Sequence, residues 1–313
     1  MKKILILLIA LVLVGCQKNQ EPLTMMVPSG IPLIAVGSFL TDEQMEITDV
    51  NNPSLLVSAM TSQSHDIVIA PLNVGVKVHN SGNEVYQLAG ILTFGNSYVV
   101  TRKTHSLTKI SDLEGQKMLA YGQNSTPDIV LRTALKLNGV TTSVDYQANV
   151  NLALPFFLCN TNNPNDETCS EYPYLLAAEP NISMLEVKYD LELNVLDLQE
   201  VLKTRIDKIP QAGVFVRLDP SKKTQINRFL DTLTTKTTAM NANPKQYAES
   251  IFNNHSFFES LTLPVLEKCI PRSQIKFEKV TAQTQYMLDY YELVMALDPL
   301  LLGNKLPKEG FYR

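Results

Sequence analysis

The sequence predicts an α/β protein whose final third is mostly helical. Two observations carry this. Short apolar runs rich in Val and Ile, such as "DIVIA", "KMLAYG" and "GVFV", recur along the first two thirds with helical stretches between them. Uninterrupted runs of this kind mark parallel strands covered on both faces. Beyond Pro220 the runs give way to long helical stretches.

Taken in order, "LTMMVPSG" reads as a strand ending in a turn, "IPLIAVGSFL" as a short helix and "MEITDV" as a second strand. "PSLLVSAMTSQS" is a helix with Pro53 in its first turn, where a missing N–H costs nothing. "HDIVIAP" is a buried strand and "LNVGVKVHN" the helix after it. Tyr86 to Arg102 is too long for one strand and is broken by "FGNS", so it reads as two, the second leaving the first domain. A second α/β unit follows: the strand "KMLAYG", a polar turn, and a helix from Pro127 to about Asn138 closed by Gly139. Ser125 or Thr126 is placed to cap that helix, and Asp128 suits its positive end. "VDYQA", "YLLAAEP" and "LNVLDL" are further strands, and "IPQAGVFVRLDP" is the last clear one. The expected helices after it are "SKKTQINRFLDTLTTKTTAM", "PKQYAESIF", "LPVLEKCI" and, as the longest, roughly Val280 to Leu297. In the last, Met287, Tyr290, Tyr291 and Val294 share one face as a core stripe.

The chain opens with Lys2 and Lys3, then eleven apolar residues from Ile4 to Val14. A spanning helix needs roughly 20, so this reads as the hydrophobic part of a secretory signal. "LVGC" at Leu13 to Cys16 resembles the lipobox of bacterial lipoproteins, which implies cleavage before Cys16, lipid on its thiol and anchorage to the outer face of the cell membrane. Without Lys2 and Lys3 there are 25 basic residues against 31 acidic, a net charge near −6. With no basic block, nucleic acid and anionic membrane surfaces are poor partners.

Cys159 and Cys169 bracket the nine polar residues "NTNNPNDET". Such a loop cannot order itself by burial, so a Cys159 to Cys169 disulfide is expected, with a metal site as the weaker alternative. Cys269 is left as a small buried apolar side chain. Catalytic motifs for nucleophilic, phosphate-loop or zinc chemistry are absent, and His65, His79, His105 and His255 are scattered, each expected at a surface or edge. The charged "DPLLLG" and "EGFYR" stretches near the end read as solvated surface. No metal and no cofactor is implied.

In open α/β sheets ligands gather beyond the carboxyl ends of strands. The loops at such positions hold Ser29 and Gly30; Asn73; Asn96, Ser97 and Tyr98; Gln123, Asn124, Ser125 and Thr126; and Glu179. Each has an ordinary structural reading too, as turn or helix cap. Ser29, Asn73, Ser125 and Thr126 suit sulfonate or phosphate oxygens. Equally, Tyr98 or Tyr121 could stack a planar ring while Glu179 accepts its N–H groups, which tilts the expectation toward a neutral or cationic heterocycle.

The segments "NSYVVTRK", "ISDLEGQKMLAYGQNSTPDIVLRTAL", "LLAAEP", "PQAGVFVR" and the terminal "LLGNKLPKEGFYR" resemble the type 2 solute-binding proteins of ABC importers. The branch they are most similar to is the one associated with nitrate, sulfonates, taurine and thiamine precursors. Two features depart from that pattern: the 159–169 insertion and the lack of any tryptophan. The resemblance implies a bilobal type 2 periplasmic-binding-protein fold, two α/β domains joined by two hinge strands with a solute cleft between them. Its implied boundaries are a signal peptide at 1–15, a tether at 16–20, domain one at 21–96 plus 218–313, and domain two at 97–217. The hinge strands fall near Tyr98–Arg102 and Gly213–Arg217. The implied function is a monomeric extracytoplasmic lipoprotein that hands a small molecule to an ABC permease and has no chemistry of its own. The alternatives are an enzyme on the same fold, of the thiamine-pyrimidine or menaquinone synthesis type, and a surface lipoprotein outside transport.

Overall fold

The structure, a computed structural model, describes residues 21–148, 150–158 and 171–313. The expected lipidation of Cys16 and the expected Cys159 to Cys169 disulfide fall outside the described residues. The strands in chain order are β1 (Leu23–Pro28), β2 (Met45–Val50), β3 (Ile67–Pro71), β4 (Tyr86–Phe94), β5 (Tyr98–Arg102), β6 (Lys117–Tyr121), β7 (Ser143–Gln147), β8 (Tyr174–Ala177), β9 (Leu193–Asp197), β10 (Pro210–Arg217) and β11 (Ile275–Lys279). The helices are α1 (Ile31–Ala35), α2 (Pro53–Ser62), α3 (Leu72–Asn80), α4 (Thr126–Leu137), α5 (Val150–Leu158), α6 (Asn181–Lys188), α7 (Leu198–Leu202), α8 (Lys223–Ala242), α9 (Pro244–Ile251), α10 (Ser256–Leu261), α11 (Leu263–Arg272) and α12 (Gln285–Leu297).

These form a mixed α/β, bilobal fold with two separate sheets. One has six strands in the order β11-β4-β10-β3-β1-β2, the other five in the order β7-β6-β8-β5-β9. In the first, β1 runs parallel to β2 and β3, and β10 lies antiparallel between β3 and β4. In the second, β6 runs parallel to β7 and β8, and β5 lies antiparallel between β8 and β9. In each sheet the strand that arrives from the other lobe, β10 in the first and β5 in the second, runs antiparallel to both its neighbours; β11, at the edge of the first sheet, is also antiparallel to β4.

Burial explains which sequence pattern became which strand. Ile67, Val68, Ile69 and Ala70 of β3 are all fully buried, as a central strand covered on both faces requires. At the sheet edge, β2 alternates half-buried and exposed residues instead. Gly75 of α3 sits where an added Cβ would come within 2.0 Å of the Phe215 ring, so the glycine is what lets β10 press its largest side chain against the helix. The core stripe of α12 is as expected, with Met287, Tyr290, Tyr291 and Val294 all buried, and Cys269 is a buried free thiol.

Four expectations need correction. Strand β10 pairs with β4 from Pro210 to Arg217 and with β3 from Ala212 to Val216, so Gly213–Arg217 lies within the first sheet and is not a hinge. The chain has returned to the first sheet by Pro210, where β10 begins. The last helix starts at Gln285, because Ile275–Lys279 forms β11 on the edge of the first sheet; with 13 residues it is shorter than the 20-residue α8. His79 is buried against the Phe311 ring, and the terminal stretch is anchored, with Phe311 fully buried and the Arg313 N–H donating to the Leu88 carbonyl. Among the described residues, no helix is long and apolar enough to cross a membrane.

Candidate functional site

A cavity of about 540 Å3 lies between the two sheets, at the carboxyl ends of the parallel strands. The first lobe contributes Pro28, Ser29, Gly30 and Ile31 after β1, Asn51 and Pro53 after β2, Pro71 after β3, Thr93 of β4, and Gln211 and Ala212 of β10. The second contributes Asn96, Tyr121, Gly122, Ser125, Thr126 and Pro127, Ala148 and Val150, and Glu179, Pro180 and Asn181. Each helix that opens onto this space begins within five residues of a strand end, which is how the sheet topology gathers so many polar loops in one place.

Ser29 follows β1, and its Oγ donates to Asp49 Oδ2 at 2.6 Å. Asp49 Oδ1 stands 3.4 Å from His255 Nε2. Gly30 has φ +111, a conformation open to glycine alone, and turns the chain into α1 with nothing within 4 Å of where its Cβ would be. Thr93 Oγ1 accepts from the Ala212 N–H at 3.2 Å, and Gln211 Nε2 donates to Ser97 Oγ at 3.0 Å. Tyr121 ends β6; burial pushes its hydroxyl up to about 12, offset in part by hydrogen bonds from the Asn181 side chain and the Ala178 backbone.

Glu179 is not an open acceptor. Its carboxyl group is buried; Oε2 accepts from the Ser183 N–H at 3.0 Å, and Oε1 lies 2.9 Å from Arg272 Nε. That last contact is an ion pair whose N–H is not aimed along the line of centres, so it counts as charge pairing and not as a hydrogen bond. Burial raises the Glu179 pKa, against the opposing pull of Arg272. The expectation that Glu179 selects for a cation or an N–H-rich ring thereby loses its basis, since the charge is already neutralised within the protein.

Of the residues expected at the site, Ser29, Gly30, Asn96, Tyr121, Ser125, Thr126 and Glu179 line the cavity. Asn73, Ser97, Tyr98, Gln123 and Asn124 do not. Asn73 Nδ2 donates instead to the Asn124 carbonyl at 3.3 Å, a bond between the lobes. The Tyr98 hydroxyl donates to the Arg272 carbonyl, and Ser97 is buried behind Gln211. Asn96 uses its side-chain amide as a backbone mimic, accepting from the Glu179 N–H at 2.7 Å and donating to its carbonyl. Ser125 precedes α4 but its hydroxyl does not cap it; the Asp128 carboxylate takes the Asn124 N–H at 2.7 Å instead. Thr93, Gln211, Asn51 and Asn181 were missed. Thr93 and Gln211 belong to strands that face the cavity only through cross-strand pairing, while the prolines that end β1 and β3 were a readable sign.

Arg272 ties the lobes together: besides Glu179 it pairs with Glu186 of α6 at 2.6 Å, and Lys268 joins that carboxylate at 3.2 Å. On another side Tyr290 and Val294 of α12 pack with Ile129 and Val130 of α4 in one core cluster, and Lys136 Nζ donates to the Ala296 carbonyl. Among the described residues, no group of three or more His, Cys, Asp or Glu side chains is arranged to hold a metal ion.

No protein-family model matches the chain, and no curated protein does. Solved structures do. An ABC transporter protein from Parabacteroides distasonis superposes with a TM-score of 0.72 at 20% identity, covering 94% of this chain and 99% of that one. The alkanesulfonate-binding protein SsuA from Xanthomonas axonopodis pv. citri, bound to MOPS, gives 0.63 at 14% identity over 93% and 96%. A Candida albicans protein described as exhibiting the generic periplasmic binding protein structural fold gives 0.60 at 11% identity over 94% and 98%. With two sheets of one wiring and a cavity between them, the chain has the periplasmic-binding-protein fold.

Proposed function

We propose that the chain is the solute-binding protein of an ABC importer, exported and held at the outer face of the membrane by lipid on Cys16. It captures a small molecule between its lobes and passes it to a permease. The observation that carries this reading is the cavity itself: about 540 Å3, the size of a site for a small metabolite, with walls drawn from both lobes. A solute touching both walls stabilises the closed arrangement over the open one by its differential contacts. The lobes on this reading are 21–95 plus 210–313 and 98–207, with the crossings at Gly95–Ser97 and within 203–209. The structural neighbours, one described as an ABC transporter and one as an alkanesulfonate-binding protein, agree with it.

The test is a thermal-shift screen of the full chain against a metabolite library. The reading expects a solute that raises the melting temperature and is recovered unchanged. Chemical turnover of that solute would replace the reading with an enzyme, and stabilisation by nothing in the library or in cell extract would refute it.

A further inference from the structure

We infer that the helical segment 236–255, which contributes no residue to the cavity wall, sets the position of that wall in the first lobe, with Lys236 and Tyr247 as positioning residues for the solute. The inference rests on the solute-binding reading and adds to it a part of the chain that governs affinity from outside the cavity.

The wall concerned is Ser29 to Pro32, the turn after β1 and the first residues of α1. Helix α1 has only five residues and no side-chain cap at its start. An isolated helix needs about 12–15 residues to be even marginally stable in water. Helix α1 therefore cannot hold itself, and the carbonyls that close a helix find no partners inside it. Here the partners come from the helical third of the chain. The Tyr247 hydroxyl, on α9, donates to the Ile34 carbonyl at 2.7 Å. Asn254 Nδ2 donates to the Gly37 carbonyl at 3.4 Å, and Lys236 Nζ, on α8, to the Ser38 carbonyl at 2.9 Å. The same ammonium lies 4.1 Å from the centre of the Phe39 ring. The turn has no room to slide, since a Cβ added at Gly37 would meet Ile251 and Phe258 at 3.1 Å.

The other end of the wall is held from the same segment. His255 Nδ1 accepts the Phe257 N–H at 3.1 Å and so caps α10, which leaves the ring proton on Nε2. That nitrogen faces Asp49 Oδ1 at 3.4 Å, while Asp49 Oδ2 accepts from Ser29 Oγ at 2.6 Å. The Ser29 proton is thereby committed, and only its lone pairs remain for a solute. A stretch of wall four residues long is thus gripped at both ends by side chains more than 200 positions away in sequence.

The test is hydrogen exchange of the full chain without added solute, read by mass spectrometry on the native protein, Tyr247→Phe, Lys236→Met and Lys236→Arg, each checked for folding by its melting transition. Loss of one hydrogen bond of ordinary strength corresponds to about a 5-fold rise in local opening. Tyr247→Phe and Lys236→Met are each expected to speed exchange at the Ile34, Val36, Phe39 and Leu40 amides by at least ~5-fold while leaving β3 and β10 unchanged. Lys236→Arg keeps a donor for the Ser38 carbonyl and is expected to restore the native rates. The second readout is native mass spectrometry after incubation with cell extract, where the adduct on the native protein should persist in Lys236→Arg and fall about 5-fold in the other two variants. Exchange that stays unchanged, or rises evenly across the lobe, overturns the inference, as does a full adduct on a variant whose α1 exchanges faster. If the native protein takes up no adduct, solute capture is what fails and the role toward the solute falls with it; the exchange rates tell that case apart from a failure of the grip on α1.

Discussion

The two lobes share one strand order yet open their helices differently. In the first, α1 and α3 begin at Gly30 and Pro71 with no side-chain cap. In the second, α4 and α6 begin under Asp128 and Glu179, each tied to an arginine. The wiring fixes where the cavity is. The difference also divides the labour of holding the molecule together, since the first lobe relies on packing around β3 and β10, whereas the contact between lobes relies on ion pairs at Arg272 and a packed seam at α12.

Four substitutions break or sharpen this contrast. The largest effect is expected from Phe215→Ala, which empties the space over Gly75 in the first lobe and should cost about 3–5 kcal/mol in urea unfolding. Arg272→Ala comes next. It leaves Glu179 buried without a counter-charge and unties Glu186, and because the arginine is about a third exposed the cost should be about 2 kcal/mol. A loss as small as that of a surface pair would show that the lobes do not depend on this contact. Asn73→Ala removes the hydrogen bond to Asn124 and should cost about 1 kcal/mol while shifting the scattering profile toward a more open form.

The smallest effect is that of Glu179→Gln, expected within about 1 kcal/mol of the native protein near neutrality, with a pH dependence of known sign. Burial raises the folded pKa of Glu179 above its ordinary value of 4.5. The stability contributed by this group is therefore fully present below pH 4.5 and is lost as pH rises through the raised folded value. The glutamine variant has no such loss, so it should gain on the native protein as pH rises through that window. A constant difference from acid to neutral pH would contradict the burial argument.

Much of the fold was legible because local pattern and tertiary role coincide. "DIVIA" is continuous and apolar, and β3 is central; "TPDIVLRTALKLNG" carries its own start and stop, and α4 occupies that span. Legibility failed where pairing decided the outcome. "IKFEK" alternates as an edge strand should, but it follows a helix containing Pro271 and gains its partner only through β4, far away in sequence. "GVFVR" has the same appearance in a hinge as in a sheet interior, and only its pairing to both β3 and β4 tells them apart. The site followed the same rule. Ser29, Gly30 and Tyr121 stand at strand ends and were readable there, whereas Thr93 and Gln211 face the cavity from within strands. The role of Glu179 was misread because its partner, Arg272, lies 93 residues away.

The most direct test of the central claim is native mass spectrometry of the freshly purified full chain after incubation with cell extract, beside Ala212→Trp, which fills the cavity from β10. The account predicts one small-molecule adduct on the native protein, absent from the variant and released intact on unfolding. Identical spectra for the two proteins, with or without adducts, would contradict capture in the space between the lobes.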